Sequence, residues 1–242
     1  MLKVQNFNLY KKIRIKKIFE DKYIIIINKP NYLSVHSGYK IKLNLIEFLK
    51  KKYNLKLINL IHRIDKDISG ILLLSKSKKI LKIINKKFKN KKIKKNYLSI
   101  VHGNLNFINK KIKLFFKKNN NFINKKNYIN RNGKKTYSII SLIKIYKNFS
   151  LINIKLITGK MHQIRMHLNF LGFPIIFDKK YGNKKLDKKI YNKYKIKNKK
   201  IYLSSNNINF FYIFYKKIIN ININICNKYF FFINNLFFRN GV

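Results

Sequence analysis

The chain has 242 residues, of which 57 are Lys or Arg and only 7 are Asp or Glu, so its formal net charge is +50. This charge favours polyanionic partners, above all nucleic acid, but Lys is spread along the whole chain and does not identify a substrate. The single cysteine, Cys226, excludes an intramolecular disulfide and a Cys-clustered zinc site. The N-terminus lacks a secretory signal and no apolar run reaches the roughly 18 residues of a membrane span, so we expect a cytoplasmic protein without membrane contact.

The first part of the chain alternates apolar runs with segments of helical periodicity. The run YIIIIN is stopped by Lys29 and Pro30, which is typical of a buried strand that enters a loop. The apolar run GILLLSK follows the charged turn RIDKDIS and is also typical of a buried strand. These patterns predict strands at 23–28, 70–76 and 95–103, and helices at 43–53 and 78–88.

The second part contains more predicted strands. Residues 104–135 show little period and are predicted to be mainly loop. Residues 136–146 and 150–159 are predicted to form an antiparallel pair, and the stripe of Ile164, Leu168 and Leu171 predicts a helix that ends at Gly172. Residues 178–200 are predicted to be a basic loop. Further strands are expected in 201–205, 207–215 and 219–225, and a terminal strand or helix in 229–238.

Two short windows collect residues that are scarce elsewhere in this chain. In HRIDKDISG, Asp65 is flanked by His62 and Arg63, and in TGKMHQIRMH a second group of polar residues includes Arg165. A carboxylate and a guanidinium are thus available to form a charge-assisted pair. We predict that such a pair keeps Asp65 ionised and oriented as a nucleophile.

Four ordered motifs carry a resemblance to a known family. They are NKPNYLSVHSG (28–38), HRIDKDISGILLLSK (62–76), KKNYLSIVHG (94–103) and TGKMHQIRMHLNFLGFPIIFDKKYG (158–182). Together they resemble the RluA-type pseudouridine synthases, and in detail the RluC-like branch that acts on large-subunit ribosomal RNA. The resemblance implies an α+β catalytic fold with a bent, mixed, mainly antiparallel sheet flanked by helices and loops.

The resemblance also implies the chemistry. Asp65 would attack a flipped uridine so that the base detaches, rotates and rejoins the ribose through carbon 5, and this isomerisation requires no cofactor and no metal. Tyr97 would stack on the base and assist proton removal, and Arg165 would pair with Asp65. The residues expected to bind the RNA are His62, Arg63, Lys160, His162, Gln163 and His167.

Departures from the family pattern leave the proposed nucleophile in place. Ile64 and Ile68 replace the usual Leu and Thr, and Lys160 and Met161 stand where Arg and Thr are common. About twenty residues precede the first catalytic strand, so we expect a basic extension at 1–19, a catalytic domain at 20–242, and no N-terminal RNA-binding domain of the S4 type. We expect a monomer whose partner is RNA, with 23S ribosomal RNA favoured.

Three alternatives remain open at this stage. The same chemistry could act on transfer RNA, because relatives with near-identical motifs differ in target. The chain could instead be an inactive RNA-binding or ribosome-assembly protein that keeps the fold. Finally, His62, Asp65 and Asp67 could hold a divalent metal for phosphoester hydrolysis, although no second cluster has a matching spacing.

Overall fold

The computed structural model describes residues 13–36, 44–54, 57–89, 93–117, 128–194, 196 and 199–224. Contacts divide the chain into two compact units. The first consists of Met1–Ile93 and Phe210–Ile223, and the second of Lys94–Asn209 and Asn224–Val242. Cys226 and the predicted terminal element at 229–238 lie outside the described residues.

The first unit is built on a group of antiparallel strands. Its elements are β1 (Lys16–Glu20), β2 (Ile24–Lys29), α1 (Leu45–Lys52), β3 (Asn59–Leu60), β4 (Ser69–Ser75), α2 (Lys78–Lys89) and β11 (Lys217–Asn222). Strand β2 pairs with β1 and β4, and β3 pairs with β4. The consecutive Ile residues of β2 and the Ile-Leu-Leu-Leu run of β4 are fully buried, as expected for strands covered on both faces.

The register of β2 and β4 positions the loop that carries Asp65. Lys29, the last residue of β2, is opposite Gly70 near the start of β4. The loop 61–68 leads directly into β4, so the end of β2 lies beside it. Two sequence windows that are more than thirty residues apart are thereby brought together.

The described part of the second unit is a mainly antiparallel sheet with two helices. Its elements are β5 (Ile93–His102), β6 (Asn109–Lys117), β7 (Tyr128–Ile129), β8 (Lys134–Tyr146), β9 (Phe149–Leu156), α3 (Gln163–Phe170), α4 (Lys184–Tyr194) and β10 (Leu203–Tyr212). The strand order is β10-β5-β9-β8-β6-β7. Strand β5 begins with the last residue of the first unit, and β10 ends in residues of the first unit.

The predicted α+β class with a mainly antiparallel sheet is confirmed. The β8 and β9 segments form the predicted antiparallel pair, with Tyr146 opposite Phe149 across the connection. Strands at 24–29, 69–75 and 93–102 and helices at 45–52, 78–89 and 163–170 lie within a few residues of the predicted ranges. None of the helices in the described residues is long and apolar enough to cross a membrane.

Two predicted loops were wrong. Residues 109–117 form β6, whose inward residues Ile112 and Phe116 are buried while Lys side chains point outward; the many Lys and Asn residues hid this alternation. Residues 184–194 form α4, although only Ile190 of the helix is buried. Asp187 docks this helix, because its Oδ1 accepts hydrogen bonds from His102 Nε2 at 2.8 Å and from the Phe177 N–H at 2.9 Å.

Candidate active site

Asp65 begins a tight turn at the entrance to β4. Its carbonyl oxygen accepts a hydrogen bond from the N–H of Ile68 at 3.1 Å. Ile64 and Ile68, on either side of the turn, are buried, whereas Asp65 and Asp67 are half-buried. The apolar side chains therefore anchor the turn in the core and leave the carboxylates at its rim.

A buried lysine lies beneath this turn. The Nζ of Lys29 donates hydrogen bonds to the carbonyl oxygens of Pro30 at 2.8 Å, Leu33 at 3.0 Å and Lys66 at 3.0 Å. An ammonium group has three protons, so this arrangement uses all its donors. Lys29 thereby ties the loop after β2 to the turn that carries Asp65.

The charge state of Lys29 depends on opposing effects. Burial lowers its pKa to about 7, and the negative charges of Asp67 and Asp65 act against this shift. The three carbonyl acceptors also favour the ammonium form, because a neutral amine can donate only two of the three hydrogen bonds. The protonated lysine places a positive charge close to both carboxylates of the turn.

Asn31 provides a second link between the same two segments. Its Nδ2 donates to the carbonyl oxygen of Asp67 at 2.6 Å. The adjacent Tyr32 has a left-handed backbone, with φ of 64°. The sequence of Lys29 and Pro30 predicts a loop-shaping motif, but it shows neither the carbonyl acceptors of Lys29 nor the contact of Asn31.

His62 and Arg63 precede Asp65 and differ in exposure. The Nε2 of His62 accepts a hydrogen bond from the N–H of Leu73 at 3.2 Å, so that nitrogen carries no proton and the ring is held against β4. Arg63 is exposed. Burial and the charge of Arg63 lower the pKa of His36, which indicates that His36 and Arg63 lie near each other.

In the second unit, Arg165 is fixed by a buried ion pair with Asp178. Its Nε donates to Asp178 Oδ2 at 2.8 Å, and its Nη2 donates to Oδ1. Burial alone would raise the pKa of Asp178, but the hydrogen bonds and charge of Arg165, with the N–H groups of Lys180 and Tyr181, lower it overall. The guanidinium carbon also lies 5.3 Å from the centroid of the Tyr181 ring.

Gln163 forms a complete internal hydrogen-bond network. Its Oε1 accepts from Thr158 Oγ1 at 2.8 Å and from the Lys160 N–H at 3.1 Å. Its Nε2 donates to the Tyr137 carbonyl at 3.0 Å and to Ser138 Oγ at 2.9 Å. All four hydrogen-bonding positions of the amide are therefore used to hold the turn 158–160 against β8.

His167 is also internal, with a relative exposure of 1%. Thr136 Oγ1 donates its only proton to the Leu114 carbonyl at 2.8 Å, so His167 Nε2, also 2.8 Å from Oγ1, must be the donor to that oxygen. Burial lowers the pKa of His167 to about 4. Gln163 and His167 thus have internal roles in this structure, and the expectation that they bind RNA stays a prediction.

Of the remaining predicted residues of this unit, Lys160 and His162 lie around the start of α3 and Tyr97 lies on β5. Lys160 is exposed, and His162 is half-buried with a left-handed backbone, φ 57°. The Nδ1 of His162 lies 3.1 Å from the hydroxyl oxygen of Tyr181. Tyr97 is buried on β5, where its backbone is opposite Ile154 of β9.

The three residues predicted to be catalytic belong to different units. Asp65 lies in the first unit, whereas Tyr97 and Arg165 lie in the second. The predicted pairing of Asp65 with Arg165 therefore stays a prediction, and the sequence analysis missed Asp178 as a partner of Arg165. Among the described residues, no three His, Cys, Asp or Glu side chains are arranged to hold a metal ion, which leaves the metal hypothesis without a ligand set there.

Comparisons with known proteins point to one family. The sequence profile described as RNA pseudouridylate synthase matches residues 23–170. The chain is 41% identical over 202 residues to "Ribosomal large subunit pseudouridine synthase C" of Buchnera aphidicola subsp. Baizongia pistaciae (strain Bp), covering 81% of the chain and 62% of that relative. The protein of the same name from Buchnera aphidicola subsp. Schizaphis graminum (strain Sg) is 39% identical, with 83% of the chain and 64% of the relative covered.

Solved structures show the same fold. "Human RNA Pseudouridylate Synthase Domain Containing 4" superposes with a TM-score of 0.76 at 20% identity and covers 97% of each chain. "Human RNA Pseudouridylate Synthase Domain Containing 1" gives a TM-score of 0.71 at 18% identity, with 87% of this chain and 83% of that chain covered. The chain spans less than two thirds of the length of the Buchnera relatives it matches.

Proposed function

Because the chain belongs to the RNA pseudouridylate synthase family, we propose that it isomerises uridine residues in RNA to pseudouridine and that Asp65 is the catalytic carboxylate. The observation that carries the proposal is the Asp65 turn. The carboxylate of Asp65 lies at the rim of a loop that buried apolar residues anchor in the core. The Lys29 ammonium donates a hydrogen bond to the backbone of the same loop. Such bracing fixes a reactive group in position before substrate arrives.

The reaction rearranges one base within its own nucleotide. The bond from ribose carbon 1 to uracil N1 breaks, and a bond from the same carbon to uracil carbon 5 forms. Carbon 5 loses a proton and N1 gains one, so there is no net redox change and no external reactant is consumed. Asp65 brings about detachment of the base, whether by attack on the sugar, addition to the base or promotion of a glycal.

Other residues have proposed supporting roles. Tyr97 stacks on the flipped base and assists removal of the carbon 5 proton, and Arg165 pairs with Asp65. In the structure Asp178 holds the guanidinium of Arg165 in a fixed orientation. His62, Arg63, Lys160 and His162 line the path of the RNA, with Arg63 and Lys160 exposed to its phosphates.

We propose large-subunit ribosomal RNA as the substrate, because the relatives at 41% and 39% identity carry that name. We further propose that residues 20–242 act as one catalytic domain and that the enzyme is a cytoplasmic monomer. Pseudouridine mapping of ribosomal and transfer RNA, with and without the protein, tests the substrate. A gain at defined transfer-RNA uridines alone would replace ribosomal RNA by the alternative substrate.

The decisive experiment for the activity compares two single amide replacements in the same turn. Asp65→Asn should reduce pseudouridine formation by about a thousand-fold or more while RNA binding is retained, because the nucleophile is lost without removal of a phosphate contact. Asp67→Asn makes the same change of charge two residues away and should retain activity within about ten-fold. Normal turnover by Asp65→Asn would remove Asp65 as the catalytic carboxylate. An inactive parent that still binds RNA would instead favour the ribosome-assembly alternative.

A further inference from the structure

Three aromatic side chains of the first unit form a cluster that the catalytic site does not use. We call Tyr23, Phe214 and Tyr215 the aromatic platform. The rings of Tyr23 and Phe214 are stacked, with centroids 4.1 Å apart and an interplanar angle of 23°. The ring of Tyr215 meets that of Tyr23 edge-on at 6.5 Å and 60°.

Contacts with the buried Tyr212 hold the platform in position. Tyr212 is buried and contacts both Phe214 at 5.3 Å and Tyr215 at 5.4 Å between ring centroids. Its hydroxyl donates a hydrogen bond to Asp21 Oδ2 at 2.6 Å. The other oxygen of Asp21 accepts from the N–H groups of Tyr23 and Ile24, each at 2.7 Å, and so fixes the chain where it enters β2.

The exposed side of the platform combines apolar and cationic groups. Tyr215 is 46% exposed, and the neighbouring Ile218 is 67% exposed. The Nζ of Lys22 lies 4.9 Å from the Tyr23 centroid, and that of Lys217 lies 5.6 Å from the Tyr215 centroid. Tyr215 therefore presents an exposed ring next to the partly exposed rings of Tyr23 and Phe214, with lysine ammonium groups beside them.

The charges at this surface select the partner. Lysines beside aromatic rings match single-stranded nucleic acid, whose bases stack on rings while its phosphates meet cations. A second copy of a chain with net charge +50 would instead be repelled. We infer that the aromatic platform binds unpaired bases of the RNA substrate, with Lys22, Lys216 and Lys217 at the flanking phosphates; this inference rests on the proposed function.

The platform lies at the opposite end of β2 from the Asp65 turn. Tyr23 directly precedes β2, whereas Lys29 ends it and bonds to the turn. Six residues at about 3.3 Å each separate the two sites by about 20 Å. An RNA strand that occupies both sites therefore has to span about 20 Å between the platform and the target uridine.

Binding without turnover tests the inference. Fluorescence anisotropy with a fluorescein-labelled single-stranded oligouridine should show about ten-fold weaker binding for Tyr215→Ala and for Tyr215→Leu than for the parent, and near-parent binding for Tyr215→Phe. A duplex of equal length should bind all four proteins alike, because its bases are already stacked. Thermal unfolding midpoints near that of the parent establish that the variants are folded.

A matched control separates the platform from a general effect of losing an exposed ring. Tyr191 of α4 is 38% exposed, and the Nζ of Lys199 lies 3.5 Å from the centroid of its ring. Tyr191→Ala therefore removes a similarly exposed ring that also has a lysine beside it. The inference is overturned if Tyr191→Ala weakens binding as much, if duplex binding falls equally, or if Tyr215→Ala leaves binding unchanged. A platform-dependent dimer in light scattering would also overturn it.

The proposed function is tested separately from the platform. Pseudouridine formation at sub-saturating RNA should fall about ten-fold for Tyr215→Ala, together with its oligouridine binding, and should stay at the parent level for Tyr191→Ala. Loss of oligouridine binding in Tyr215→Ala, with an active parent, supports the platform. Absence of turnover in the parent, with normal platform binding, would remove the proposed function alone.

Discussion

The buried ammonium of Lys29 donates a hydrogen bond to the carbonyl oxygen of Lys66, the residue that follows Asp65 in the chain. This bond ties the end of β2 to the Asp65 turn. The same ammonium lies close to the carboxylates of Asp65 and Asp67, whose charges raise its pKa against the effect of burial. Lys29 therefore positions the turn both through hydrogen bonds and through charge.

Replacement of Lys29 by Met should lower the free energy of unfolding by about 2 kcal/mol, because three carbonyl oxygens lose their donor. Turnover should fall as well, since the Lys66 carbonyl is no longer held. Urea denaturation and single-turnover assays measure the two effects. Lys29→Arg retains the charge but cannot direct three protons from one nitrogen, so full activity in that variant would contradict this account.

The lowered pKa of Lys29 also predicts a pH effect. Between pH about 7, the pKa of Lys29 in the folded chain, and pH about 10.4, the ordinary lysine pKa, the unfolded chain keeps a proton on this residue that the folded chain has released. The free energy of unfolding should therefore rise with pH over this range. This contribution should be absent from Lys29→Met. Urea denaturation of both proteins across this range measures it, and parallel pH profiles would refute it.

Replacement of Asp178 by Asn should destabilise the second unit by about 3 kcal/mol, because the guanidinium of Arg165 is left buried beside a neutral amide. The pKa of Asp178 is lowered in the folded state, so the pair is fully stabilising above the ordinary carboxyl value of about 4. Its contribution is lost as the pH falls through the lower, folded value. Urea midpoints of parent and variant should therefore converge at acid pH. As a control, Glu20→Gln alters an exposed ion pair and should lower the free energy of unfolding by under about 1 kcal/mol.

His167 should make the protein sensitive to mild acid. Its pKa is lowered to about 4, so the unfolded chain, with a value of about 6.5, binds the extra proton between these limits. Stability should fall by about 3 kcal/mol as the pH decreases from 6.5 to 4. His167→Gln keeps an N–H donor for Thr136 without a titrating ring, and its profile should be flatter; an identical slope would assign the effect to another group.

RNA affinity should depend steeply on salt. A chain with net charge +50 binds phosphates largely by release of counterions, and between about 50 and about 200 mM salt a loss of about a thousand-fold is expected. Titrations with the same RNA at several salt concentrations measure the slope. Sucrose at matched osmolality should have no such effect, and a flat response to salt would contradict an electrostatic mode of binding.

The most predictable parts were those in which scarce residues or unbroken apolar runs stand out. The Ile run of β2 and the window around Asp65 are of this kind, and the strand and the turn follow. The burial of Lys29 was not predictable, because lysine is common in every segment and its three acceptors are backbone carbonyls, which leave no mark in a sequence.

Contacts between residues that are far apart in the sequence were also not predictable. Arg165 was assigned to Asp65 alone, yet its carboxylate in the structure is Asp178, thirteen residues further along the chain. Helix α4 was hidden because five of its eleven residues are exposed lysines and its docking rests on two side chains, Asp187 and the buried Ile190. Such single contacts between distant segments have no periodicity for a sequence pattern to report.

The turn beside Asp65 is held through the carbonyl oxygens of Lys66 and Asp67, which any amino acid would supply. These two hydrogen bonds are therefore independent of the side chains at positions 66 and 67, although the charge of Asp67 also acts on Lys29. Mutations there can alter what the loop presents to a ligand without displacing the carboxylate that precedes them. Positions 66 and 67 are thus suitable places for target preference to diverge during evolution, or to be reprogrammed by design.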